Sequence, residues 1–185
     1  MVYVFLAEGF EEVEALAPVD LLRRAGVIVE TVSINSERRS VTGARGIYVM
    51  ADKSIDDIDV SAADMLVFPG GMPGTLNLDG CDKLMKMLDD AVNSGKKIAA
   101  ICAAPAKILG KRGYLNGRRA TCYPGLEEEL KGALLSSENV VTDGNFITSK
   151  GLGTAVEFGL ELIAALCGRE KSIEIKKSVV AGYGL

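Results

Sequence analysis

Lys97-Ile98-Ala99-Ala100-Ile101-Cys102-Ala103-Ala104-Pro105 decides how this chain is read. An apolar run ends in a cysteine and small residues follow at once, the pattern of a strand passing through an elbow into a helix. Such an elbow exposes a thiol at the end of a sheet. It also turns the free N–H groups of the next helix toward the sulfur, which favours thiolate over thiol. The chain contains no histidine, so the usual base partner of a catalytic cysteine has to be another group.

Outward from the elbow, short apolar runs alternate with helical periodicity. Residues 2–7 and 27–34 read as strands. Residues 11–25 read as a helix that opens on Glu11-Glu12-Val13-Glu14 and closes at Gly26. Pro18 should kink or interrupt it, because it removes a backbone donor. A small strand pair is expected over 39–50, turning near Gly43. Asp64-Met65-Leu66-Val67-Phe68 reads as a buried strand ended by Pro69-Gly70-Gly71. Helix 81–93 carries Leu84, Leu88 and Ala91 on one face; strand 97–101 and helix 103–110 follow. Further strands are expected near 118–121, 139–142 and 145–148. Leu152, Val156, Gly159, Leu160 and Ile163 mark one face of a long helix. This alternation defines an α/β domain with a mostly parallel sheet covered on both faces. Ligands bind such sheets beyond the carboxyl ends of the strands, near the topological switch point. Glu14, Gly70-Gly71 and Cys102 all fall there.

Composition narrows the classes. The 185 residues, 48% of them hydrophobic, suit one domain spanning 1–185 with a full core. No apolar run approaches the roughly 20 residues of a membrane-spanning helix. The chain enters a strand with no basic leader, so a soluble, cytoplasmic protein that does not engage membranes is expected. A net charge of −4 with no long basic run argues against specific nucleic-acid binding. The four cysteines, Cys81, Cys102, Cys122 and Cys167, lack zinc-type spacing. Without histidine, no metal site is expected.

Cys102 is the leading nucleophile. As a plain buried cysteine it would be a small hydrophobe, but the elbow and its small neighbours allow close backbone approach. Glu14 is its natural partner. Glu11 and Glu12 read as a solvated helix start, whereas Glu14 is flanked by Val13, Ala15, Leu16 and Ala17. Apolar surroundings raise a carboxyl pKa, so Glu14 would stay protonated, donate to a thiolate and shuttle a proton. Gly70 and Gly71 would bring backbone N–H groups to a reacting oxygen. Arg45 and Tyr123 are loop residues that could line the pocket. Gly151-Leu152-Gly153-Thr154 reads as a packing turn, since Val156 stands where a dinucleotide fingerprint needs glycine. Burial is expected for Cys122 and a structural place for Cys167, while Cys81 reads as exposed and open to incidental oxidation.

Four segments in order along the chain, Gly9-Phe10-Glu11-Glu12-Val13-Glu14, Phe68-Pro69-Gly70-Gly71, Ala100-Ile101-Cys102-Ala103-Ala104-Pro105 and Ser149-Lys150-Gly151-Leu152-Gly153-Thr154, resemble the ThiJ/PfpI superfamily. The nearest branch is that of the parkinsonism-associated deglycase and its bacterial chaperone-like relatives. The resemblance implies a flavodoxin-like (Rossmann-like) three-layer sandwich, a homodimer and cofactor-independent chemistry. It implies a reactive Cys102, a protonated Glu14, and amides of Gly71 and Ala103 facing the sulfur. Arg45 matches an arginine that reaches the pocket from a partner subunit. Tyr123 stands where relatives place a histidine near the cysteine, which disfavours a cysteine-protease mechanism.

Two functions follow. One is a glyoxalase or deglycase-type enzyme acting on small α-oxoaldehydes or their adducts, with Cys102 as nucleophile and Glu14 as proton shuttle. The other is a non-catalytic oxidative-stress sensor or chaperone with an oxidisable Cys102. A low thiol pKa does not decide between them. Lowering it from ~8.5 to ~5 gains roughly 30-fold in thiolate at pH 7, and nucleophilicity falls by roughly 40-fold over the same span.

Overall fold

The computed structural model describes residues 1–182. A seven-stranded sheet forms the centre. Its strands are β1 (Val2–Leu6), β2 (Val29–Ser33), β5 (Lys53–Ser54), β6 (Met65–Phe68), β7 (Lys97–Ile101), β10 (Val140–Asp143) and β11 (Phe146–Ser149), in the order β10-β11-β7-β6-β1-β2-β5. Every neighbouring pair is parallel except β10–β11. Two small pairs lie outside it: β3 (Ser40–Thr42) with β4 (Tyr48–Met50), and β8 (Arg119–Ala120) with β9 (Leu134–Leu135). The helices are α1 (Glu12–Arg24), α2 (Gly74–Asp79), α3 (Asp82–Asn93), α4 (Ala155–Cys167) and α5 (Arg169–Ser178). A short π-type helix, Pro105–Gly110, follows the elbow. This is a flavodoxin-like α/β fold.

The layers follow from strand geometry, because successive side chains leave opposite faces. Tyr3 and Phe5 of β1 join Leu66 and Phe68 of β6 on one face, under Leu84 and Leu88 of α3 and Leu109 of the π-type helix. Val2, Val4 and Leu6 join Val67 on the other, under Val19 and Leu22 of α1 and Phe158 and Leu162 of α4. Both faces are dry, so the strands read as continuous apolar runs.

Several local expectations are corrected. Helix α1 runs through Pro18 without interruption. The helix after the elbow begins at Pro105 rather than 103. Of the stripe expected on the long helix, Gly159, Leu160 and Ile163 are buried, whereas Leu152 and Val156 are exposed and Ala155, Phe158 and Leu162 are buried in addition. Cys167 is exposed at the end of α4 and Cys81 is half-buried. The strand expected near 118–121 is β8, while β5, β9 and α2 are too short for a periodic signal.

The loops that hold the site pack backbone against backbone. Gly74 donates to the Gly9 carbonyl at 3.1 Å, and a Cβ on Gly74 would lie 2.5 Å from the Phe10 nitrogen and 2.6 Å from the Gly9 carbonyl. Gly74→Ala is therefore expected to cost about 2 kcal/mol, the scale of overpacking in a close-packed region. Urea unfolding checks this, and an unchanged midpoint would show that the two loops separate freely.

Candidate active site

Strand order reverses direction between β1 and β6, and the site lies at their carboxyl ends. Three chain segments meet there: the first turn of α1, the loop after β6 and the elbow after β7. Cys102 sits at φ +67°, a left-handed conformation that non-glycine residues rarely hold. It is fixed from both sides. Its amide donates to the Ser149 carbonyl at 2.9 Å, and its carbonyl accepts from the Tyr123 amide at 2.8 Å. The side chain remains partly accessible.

Glu14 is buried, with 1% of its surface exposed, and hydrogen-bonds the Cys102 side chain. Its Oε2 accepts from the Gly70 amide at 3.0 Å, and the Leu152 amide also donates to this carboxyl. A Cβ on Gly70 would lie 2.4 Å from Glu14 Oε2 and 2.5 Å from Cys102 Cβ, so only glycine leaves room for the two groups to meet. The Gly70 amide is thus committed to Glu14. The amides of Gly71 and Ala103 are the ones that face the sulfur, and they form the candidate oxyanion donors. Gly71, at φ +92°, lies where a Cβ would be 2.3 Å from the Glu11 nitrogen.

Burial raises the Glu14 pKa to about 7, against the lowering by its hydrogen bonds from Cys102, Gly70 and Leu152. Burial also pushes the Cys102 thiol up to about 12; the charge and hydrogen bond of Glu14 add to this, and the Ala103 and Gly71 amides pull back. This reverses the sequence expectation of a lowered thiol pKa. The following helix is only six residues long and begins three residues beyond the sulfur, so two amides oppose a larger desolvation penalty. The two groups titrate as a pair that loses its first proton near 7 and its second near 12. Between those values the pair carries one negative charge, and a thiolate exists only in the form where Glu14 holds the remaining proton.

A cavity of about 720 Å³ opens over Cys102, a size that suits small organic ligands. Arg45, Tyr123, Gly71 and Ala103 line it, together with Lys107 and Leu152. Tyr123 is half exposed, and its ring flanks Gly151 next to Glu14. Arg45 lies on the cavity wall of its own chain. Glu12 corrects the reading of a solvated helix start: it is 3% exposed and accepts from the Arg45 amide at 2.7 Å. Glu11 caps α1 by accepting from the Glu14 amide at 2.7 Å. The turn read as packing also serves the site through Leu152. Lys107 escaped notice in the sequence, although it lies four residues beyond Ala103 and its amide donates to that carbonyl. Among the described residues no group of three or more His, Cys, Asp or Glu side chains is placed to hold a metal ion, and no helix is long and apolar enough to cross a membrane.

A parallel α/β sandwich with a strained cysteine at a strand end and a buried carboxyl bonded to it defines a class of cysteine-centred α/β proteins. The DJ-1/PfpI family model matches residues 1–165, and the chain belongs to the DJ-1/PfpI family. It is 38% identical over 180 residues to protein DJ-1 homolog B of Arabidopsis thaliana, covering 97% of this chain and 41% of that protein. The chain thus spans less than half the length of this plant relative. It is 33% identical over 172 residues to a Caenorhabditis elegans relative, glutathione-independent glyoxalase DJR-1.2, covering 92% of this chain and 90% of that one. The solved structure of oxidized Toxoplasma gondii DJ-1 superposes with a TM-score of 0.94 at 35% identity, covering 98% of each chain.

Proposed function

We propose that this protein is a cofactor-independent glyoxalase or deglycase-type enzyme acting on small α-oxoaldehydes or their adducts. The observation that carries this reading is the Cys102–Glu14 pair, one nucleophile and one carboxyl near neutral pKa, hydrogen-bonded at the floor of a cavity. A relative named a glutathione-independent glyoxalase supports it.

Glu14 takes the thiol proton, and the thiolate attacks the aldehyde carbon. The resulting hemithioacetal oxygen lies against the Gly71 and Ala103 amides. Glu14 returns the thiol proton to that oxygen and, as a carboxylate again, carries a proton from the former aldehyde carbon to the adjacent carbonyl carbon, while the hydroxyl proton passes to the carbonyl oxygen. This converts the adduct to a thioester of a 2-hydroxy acid, with no external oxidant. Water cleaves the thioester, returning the thiol and releasing the hydroxy acid. Tyr123 contributes a cavity wall and a hydroxyl where relatives have histidine, so the proton transfers fall to Glu14. Methylglyoxal given to the purified protein without added thiol should yield lactate catalytically, and Cys102→Ser should abolish it. Lactate formation that survives Cys102→Ser would refute the reading.

The second reading is a redox sensor or stress chaperone in which Cys102 is oxidised. The same amides and a protonated Glu14 would hold a sulfinate, and a solved relative is in an oxidized form.

We also propose a cytoplasmic homodimer. Ile47, Tyr48 and Met50 are exposed together on the β3–β4 hairpin beside Arg45, an apolar surface of the kind that pairs. Leu21 of α1 is buried within the chain against α4 and is not part of that surface. Sedimentation at micromolar concentration should give a dimer, and a monomer alone would contradict it. If Arg45 completes a partner's pocket, Arg45→Ala should lower turnover.

A further inference from the structure

We propose that Glu12 is the positioning residue for Arg45: its buried carboxylate pins turn 43–47 to the first turn of α1 and so fixes a cation at the mouth of the Cys102 cavity. The inference rests on the reading of Cys102 as the reactive thiol, but not on turnover.

Glu12 is 3% exposed, yet only one of its oxygens has partners. Its Oε1 accepts from the Arg45 amide at 2.7 Å and from the Ile47 amide at 3.4 Å, while Oε2 has no hydrogen-bond partner among the described residues. A buried carboxylate with an unused oxygen is costly, and the two turn amides are what this one holds. Contact with the turn is direct. A Cβ on Gly43 would lie 2.3 Å from both Cδ and Oε1 of Glu12.

The base of the hairpin is held by backbone and by Glu8, which accepts from the Thr42 amide at 3.2 Å. Gly9 donates to the Thr42 carbonyl and Ala44 to the Phe10 carbonyl, both at 2.8 Å. Within the tip, Gly43 donates to the Ile47 carbonyl at 2.9 Å and Gly46 to the Gly43 carbonyl at 3.1 Å. The amides of Arg45 and Ile47 are held by the Glu12 side chain, which ties the turn to α1. Glu12 stands two residues before Glu14 on the same helical turn, so the turn bearing Arg45 is set relative to the Cys102 partner. Arg45 lines the cavity and enters no ion pair among the described residues. Its charge is free to act on an anion approaching the sulfur.

Two alkylating reagents test this without any turnover. Iodoacetate and iodoacetamide both place a carbon on Cys102 sulfur with loss of iodide, and they differ in charge. The ratio of their rates at Cys102, read by mass spectrometry, cancels the thiolate fraction and reports the local cation. Arg45→Ala should lower the iodoacetate-to-iodoacetamide ratio by about threefold, within the range of an exposed ion pair. Glu12→Gln removes the charge and keeps an acceptor for the two amides; Glu12→Ala removes both. The ratio in Glu12→Ala should therefore lie about threefold below that in Glu12→Gln, and this difference should vanish when Arg45→Ala is present. Gly43→Ala, which displaces the carboxylate without changing any charge, should lower the wild-type ratio by the same factor. The proposal is overturned if Arg45→Ala leaves the ratio unchanged, if Glu12→Ala and Glu12→Gln agree, if their difference persists without Arg45, or if Gly43→Ala matches the wild type. A protein that alkylates as expected but makes no lactate would refute the proposed activity and leave Glu12's role intact.

Discussion

Glu14→Gln is expected to lower α-oxoaldehyde turnover by about 10²–10⁴-fold, the usual contribution of a positioned general acid or base. Glutamine keeps the shape, and its oxygen can still accept from the Gly70 amide, which lies 3.0 Å from Glu14 Oε2. What it cannot do is accept the thiol proton and then carry a proton from one carbon of the adduct to the next. The rate of Cys102 oxidation by peroxide should be read on the same variant. If Glu14 serves only as a hydrogen-bond donor to an oxidised sulfur, glutamine preserves most of that behaviour. Retained turnover in Glu14→Gln would remove the carboxyl from the proposed chemistry and favour the sensor reading.

The second large effect is on stability. Glu14 has its pKa raised in the fold from about 4.5 to about 7, mainly by burial, so the native state holds a proton that the unfolded chain has already released. Its contribution is fully present below about pH 4.5 and is lost as pH rises through about 7. The span corresponds to about 3 kcal/mol. Asp57, Asp59 and Asp64 are held low by Ser54, Ser61 and the N-terminal amine respectively. Their contributions are lost on acidification below the Glu14 window, so the two effects separate on the pH axis. Urea unfolding at pH 5 and pH 7.5 should show the wild type losing roughly 2 kcal/mol relative to Glu14→Gln. Parallel pH dependence in the two proteins would mean that Glu14 is already ionised in the fold at pH 5.

The architecture was legible in the sequence because parallel strands buried on both faces leave unmistakable apolar runs, and glycines and prolines punctuate them. The meeting of Glu14, Gly70-Gly71 and Cys102 was legible for a related reason: all follow strands that a parallel sheet must align. Glu12 was not legible. Two adjacent acidic residues at a helix start look alike, and the burial of one comes from a hairpin thirty residues later that folds back onto it. The Leu152 amide was hidden in the same way, because a backbone donor carries no residue signature. The direction of the Cys102 shift was misread because an elbow motif announces the nearby amides but not the depth of burial or the ionised partner. Leu152 and Val156 fitted a helical stripe by spacing, yet the first lines the cavity and the second faces outward.

Cys102 and Glu14 share a proton, so that thiolate appears as the pair loses its first proton and not only when a lone thiol titrates. The pH profile of Cys102 alkylation by iodoacetamide measures this most directly. The rate should rise to an inflection near pH 7, level off, and rise again toward pH 12, with the lower inflection absent in Glu14→Gln. A single unbroken rise with no inflection near 7 in the wild type would contradict it.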